Sequence, residues 1–149
     1  MSSESGKMLN IGFPKAIRQS FQTNMSLLES KLNGLSVGIF SAEVGARQWM
    51  HADKNGSYLI WKIGKKKNDE LLYIQNGELV SYFSIHRSGK KGKVNWQFGD
   101  RLSAESICKD IINVQNNTSK KFSSVEQVYL YTTDGNKIGR AHVWTPVTH

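Results

Sequence analysis

The sequence predicts an α+β fold: a mostly antiparallel sheet of about six to eight strands, a meander with hairpins, carrying an N-terminal helix and a second helix near 103–116. Three observations carry that expectation. Between Gln48 and Phe98 apolar and polar residues alternate with the period of a strand. Asn55-Gly56, Asn76-Gly77 and Asp134-Gly135 each sit between such runs, and these dipeptides supply the φ > 0 pair that a two-residue hairpin turn needs. Two segments instead show helical spacing, Ile17, Phe21, Met25, Leu28 and Leu32 in one and Ile107, Ile111 and Val114 in the other.

Taken in order, residues 1–12 read as a flexible tail and 13–149 as one α+β domain, which suits a chain of 149 residues. Phe13-Pro14 opens a helix over 14–33, because proline at the first turn loses no hydrogen bond, and Gly34 ends it. Its apolar stripe is expected to face the sheet; Lys15, Arg18 and Lys31 lie off the stripe, as they would on a membrane-surface helix as well. Ser36–Ser41, with Val37, Ile39 and Phe40, reads as a first strand, and Ala42–Arg47 is ambiguous.

A hairpin at Asn55-Gly56 pairs Asp53 with Tyr58, His51 with Ile60 and Trp49 with Lys62. A hairpin at Asn76-Gly77 pairs Gln75 with Glu78, Tyr73 with Val80 and Leu71 with Tyr82. In that register Leu72, Ile74, Leu79, Phe83 and Ile85 form an apolar face; Tyr73, Tyr82 and His86 lie on a mixed one, as do His51, Asp53, Tyr58 and Lys62 in the first hairpin. A bulge would exchange the faces. Ser103 reads as the N-cap of the second helix, and Cys108, the only cysteine, as a small buried hydrophobe. The final hairpin puts Tyr129, Tyr131, Arg140 and His142 on one face and Val128 and Leu130 on the other.

Charge gives the leading functional expectation. The formal net charge is +8, and much of the excess is clustered in two turns, Gly64-Lys65-Lys66-Lys67-Asn68-Asp69 and Arg87-Ser88-Gly89-Lys90-Lys91-Gly92-Lys93. Successive turns of a meander alternate ends, so these two emerge together on either side of Asn76-Gly77. Lys65, Lys66, Lys67, Arg87, Lys90, Lys91 and Lys93 then form one basic rim suited to a polyanion. Gly89-Lys90-Lys91-Gly92 has the G-x-x-G spacing of one RNA-binding module, but strands flank it here instead of helices, so only the cradling of phosphate by backbone N–H groups carries over. Tyr129 and Tyr131, interleaved with basic residues, suit base stacking, although strands favour aromatics for packing alone.

The expected function is a basic nucleic-acid-binding module for RNA or single strands. Two alternatives use the same rim: a small metal-independent ribonuclease of toxin-like type, and an interaction protein docking on an acidic protein. Metal-free RNA cleavage needs a general base, a general acid and a cation for the charged intermediate. His51, His86 and Lys62, or His142 with Arg140, are the candidates, although a histidine in such a pattern is more often a plain surface or packed residue. No cofactor and no metal are expected, since the sequence holds no Walker loop, paired C-x-x-C, H-E-x-x-H or G-x-G-x-x-G. One cysteine, no apolar run near the ~20 residues of a membrane span and no apolar stretch in the first seven residues lead to an expected cytoplasmic location.

Overall fold

In the computed structural model, residues 14–29, 38–132 and 143–144 are described, together with Leu9 and Gly12. The remainder of the expected tail, the Gly34 stop and the Asp134-Gly135 hairpin with Arg140 and His142 lie outside the described residues.

The described elements are α1 (Lys15–Leu27), α2 (Gly38–Trp49), β1 (Ser57–Ile63), a 3₁₀ turn (Lys65–Lys67), β2 (Asn68–Gln75), β3 (Glu78–Ser88), β4 (Lys91–Gly99), α3 (Arg101–Gln115), β5 (Gln127–Thr132) and β6 (Val143–Trp144). The sheet order is β4-β3-β2-β1-β5-β6. β1 to β4 form the antiparallel meander, and β5 lies parallel to β1 on its other side. The α+β class holds, but among the described residues the sheet has five strands of six residues or more, fewer than expected, with the two-residue β6 beside β5.

Helices cover the sheet on both sides, and this decides which residues are core. β1 and β2 are central and carry unbroken apolar runs, Tyr58-Leu59-Ile60-Trp61 and Leu71-Leu72-Tyr73-Ile74, all buried. Leu59, Trp61, Leu71, Tyr73, Phe83 and Ile85 pack against Ala104, Ile107, Cys108 and Ile111 of α3. Tyr58, Ile60, Leu72, Ile74, Leu79 and Tyr129 pack with Ile39 and Ala46 of α2. α3 approaches β4 closely at Gly92, where a Cβ would stand 2.7 Å from two carbons of Ile112. Burial raises the Cys108 thiol above its usual pKa, in keeping with a small apolar role.

Five expectations are corrected. Residues 38–41 belong to α2 and not to a strand, and Ile39, Glu43 and Ala46 are the positions it buries. Asn55-Gly56 therefore has no strand before it: Asp53 accepts from the N–H groups of Asn55 and Gly56, and this turn leads α2 into β1. The pairs Asp53–Tyr58, His51–Ile60 and Trp49–Lys62 do not form; β1 pairs with β2 and β5 instead.

At Asn76-Gly77 the hairpin forms, with φ of 53° and 77°, and Gln75 faces Glu78. A bulge then shifts the register, so Tyr73 faces Ser81 and Leu71 faces Phe83. Leu71 and Tyr73 thereby join Phe83 and Ile85, while Leu72 and Ile74 join Tyr82 on the other side.

α1 stops at Leu27 and buries no residue; Phe21 is 48% exposed. The faces of β1 and β2 that it was expected to cover are occupied by α2 and α3. The α3 cap is Asp100, whose carboxylate accepts from the Ser103 N–H at 3.0 Å and from the Ser103 hydroxyl. Ser103 is the third residue of the helix and not its cap.

Candidate functional site

Both lysine turns leave the sheet at the same end. The 3₁₀ turn joins β1 to β2, the hairpin at Gly89-Lys90 joins β3 to β4, and Asn68, His86 and Lys93 lie in register across the three strands. Two strand spacings separate the turns, about 10 Å. Lys65, Lys66, Lys67, Lys90, Lys91 and Lys93 are all exposed.

One buried carboxylate holds this end together. Asp69 is 0% exposed. Its Oδ1 accepts from the Gly64 N–H at 3.0 Å and from Arg87 Nη2 at 3.2 Å. Its Oδ2 accepts from Trp61 Nε1 at 2.8 Å. Arg87 Nε sits 2.7 Å from Oδ2 without an aligned hydrogen bond, so that contact is Coulombic. Asp69 thus ties the first residue of one lysine turn to the strand end that opens the other.

Gly64 is required there, since a Cβ would fall 1.7 Å from the Asn68 carbonyl oxygen. Lys66 and Lys67 take φ of 54° and 61°, the left-handed region that non-glycine residues seldom occupy. The turn therefore holds local strain while presenting three side chains to solvent.

Beside this end, on the α2 side of the sheet, lies a mixed polar and aromatic strip. Lys62 Nζ donates to Glu70 Oε1 at 3.1 Å, and the Tyr82 hydroxyl donates to Glu70 Oε2 at 3.3 Å. Burial, the Glu70 charge and that hydrogen bond push the Tyr82 pKa up to about 12. Phe40 meets Tyr82 edge to face at 5.3 Å, and Tyr82 meets Trp96 likewise at 4.8 Å. Cross-strand partners share a face, so His86, Lys93 and Lys91 fall on this side with Tyr82 and Trp96. α2 lies over β1, β2 and β5, and beyond the Phe40 ring Trp96 is 47% exposed.

The structure brings some of the expected residues together and separates others. The six lysines gather at one end. Arg87 does not project with them: it is bound to Asp69 and its side chain is only 21% exposed. Tyr131 is half-buried beside Lys62. Tyr129 is 3% exposed, packed on Tyr58, with its hydroxyl donating to Gln127, so its ring is closed to a base.

His51 and His86 lie at opposite ends of the sheet. His86 faces Asn68, with its Nδ1 2.8 Å from Asn68 Oδ1, whereas His51 precedes the turn that enters β1 opposite Gln75. Lys62 shares a face with His86 but lies two strands and two residues away, roughly 12 Å between Cα atoms, and is engaged by Glu70. The expected His51–His86–Lys62 constellation is therefore not assembled. Its premise, a strand carrying His51, fails because α2 occupies the preceding residues and His51 sits in a loop with φ of 54°. Arg140 and His142 are outside the described residues. Among the described residues no three His, Cys, Asp or Glu side chains group as metal ligands would, and no helix is long and apolar enough to cross a membrane.

Asp69 and Trp96 are the contributors that sequence patterning misses, whereas Tyr82 was expected on the mixed face with His86. The available signal was Trp96 in the last meander strand, just beyond Lys91 and Lys93. No family model, curated protein or solved structure matches this chain.

Proposed function

We propose that this protein binds nucleic acid, RNA or single strands in preference to duplex, at the lysine end of the sheet, and that it does so in the cytoplasm. One observation carries the reading: six exposed lysines stand on two adjoining turns and the start of β4, while the two carboxylates of β2 at that end, Asp69 and Glu70, are each already bound to a cation. The positive field there is uncancelled by the strands beneath it, which favours phosphate contact and rapid encounter. The preference for unpaired strands rests on exposed aromatic surface beside the lysines instead of a basic helix shaped for a groove.

The test is binding of a labelled single-stranded RNA across a salt series. Six phosphate contacts on a single strand give a slope of about −4 in log K against log salt, or roughly 300-fold weaker binding between 50 and 200 mM. Salt-independent binding, or no binding to any RNA or DNA at low salt, overturns the reading and leaves the acidic-protein partner as the use for the rim.

A further inference from the structure

Resting on that nucleic-acid reading, we propose that the β3–β4 part of the α2-side face is a base-stacking subsite, with Trp96 as its platform and Lys91 and Lys93 holding the flanking phosphates. Large aromatics on a sheet are usually covered, and Tyr58, Tyr73, Phe83 and Tyr129 in this sheet are. Trp96 is not: it is 47% exposed where the cover of α2 ends.

Nor is its ring loose. Tyr82 abuts it at a 78° interplanar angle, and Phe40 abuts Tyr82 at 74°, so the indole is backed by two rings in series. The Tyr82 hydroxyl is in turn anchored on Glu70, which Lys62 neutralises. A platform already fixed in place loses little side-chain freedom on binding.

The occupant follows from charge. Lys93 and Lys91 precede Trp96 on the same strand and the same face, and an Asn95 bulge leaves Lys93 and Trp96 about 7–10 Å apart along it. A ligand covering both must be anionic along its length and planar at intervals, as an unpaired nucleic-acid strand is. A duplex hides its base faces from such a platform.

The experiment uses the full chain with three probes: a uridine-only RNA oligomer, an RNA duplex of equal charge, and heparin, which is anionic but has no bases. Trp96→Ala should weaken binding of the oligomer by about five- to 150-fold, the range of one lost base stack, and leave heparin binding unchanged. Trp96→Phe should recover most of the loss. Equal oligomer binding by Trp96→Ala and the unaltered protein overturns the subsite while the lysine-end reading stands. A parallel loss for heparin, or no rescue by Trp96→Phe, also overturns it, by showing a structural effect. Failure of the unaltered protein to bind any of the three probes overturns both proposals.

Discussion

The two ends of the sheet are held by different physics. At the end carrying Asn76-Gly77, backbone turn chemistry does the holding: Asn76 and Gly77 take positive φ, Asp53 accepts from the N–H groups that follow it, and Gly99, at φ 89°, passes so close to Val80 that a Cβ would stand 2.3 Å from its carbonyl oxygen. At the lysine end a buried side chain does it, with Asp69 gathering Gly64, Trp61 and Arg87. The charge differs as sharply. Asp53, Glu78, Asp100 and Glu126 lie at the first end with Lys54 and Arg101, whereas the second presents six lysines over two neutralised carboxylates. The carboxylates that serve the turns of the first end, Asp53 and Asp100, lie exposed at the surface. The lysine end is built over a buried anion that draws its two turns together, and mutual repulsion among the lysines would otherwise favour their separation.

The largest expected effect comes from breaking that anion. Asp69→Ala leaves the Arg87 cation and the Trp61 N–H without their partner, and should cost about 3 kcal/mol, the lower part of the range for a broken buried pair, because Arg87 is partly exposed. A denaturant titration measures it; a loss below ~1 kcal/mol would mean the two ends are not held differently.

Next is the equivalence of the two turns. Replacing Lys65, Lys66 and Lys67 with Gln, or Lys90, Lys91 and Lys93, should each weaken single-stranded RNA binding about a hundredfold at 0.1 M salt, the effect of three lost counterion-releasing contacts. If one set accounts for nearly all the loss, the turns do not act as one rim.

A smaller effect belongs to the opposite end. Asp100→Ala removes the α3 cap and should cost about 1 kcal/mol. Its hydrogen bonds from the Ser103 hydroxyl and N–H hold the Asp100 pKa below the usual carboxylate value. A depressed pKa means that this contribution is complete above the ordinary carboxylate range and fades as pH falls through the folded-state value. The unaltered protein and Asp100→Ala should therefore differ in denaturation midpoint at pH 7 and converge in acid. A gap that persists at low pH would assign the effect to something other than the carboxylate.

Legibility in the sequence follows the same division. Turn chemistry is local, so the Asn76-Gly77 hairpin and the shared end of the lysine turns could be read from spacing alone. The bulge after that hairpin could not, because nothing in Val80-Ser81 announces it, and it moves Leu71 and Tyr73 to the other face.

α2 was hidden for a different reason. Its buried positions Ile39, Glu43 and Ala46 do have helical spacing, but the middle one is a carboxylate, buried because the Tyr58 hydroxyl donates to it at 2.6 Å and Arg47 pairs with it. Hydrophobic patterning passes over such a residue, and Val37, Ile39 and Phe40 then suggest a strand. Asp69 was hidden likewise: it follows a polar lysine turn, and its partner Arg87 stands 18 residues on. Trp96 is plain in the sequence, but its exposure depends on where α2 stops covering the sheet. The lysines on edge strand β4 also have a second use, since charge discourages edge-to-edge pairing with another chain.

The most direct measurement compares charge-matched variants of the two ends. One replaces Lys65 and Lys90 with Gln, one lysine from each turn; the other replaces Lys54 and Arg101 with Gln at the opposite end. Both lower the net charge equally, so a field spread over the whole molecule would weaken binding equally in the two. With the site at the lysine end, the slope of log K against log salt for single-stranded RNA should become shallower by about 1.4 in the first variant and stay unchanged in the second. Equal slopes in the two variants would contradict the assignment of binding to the lysine end.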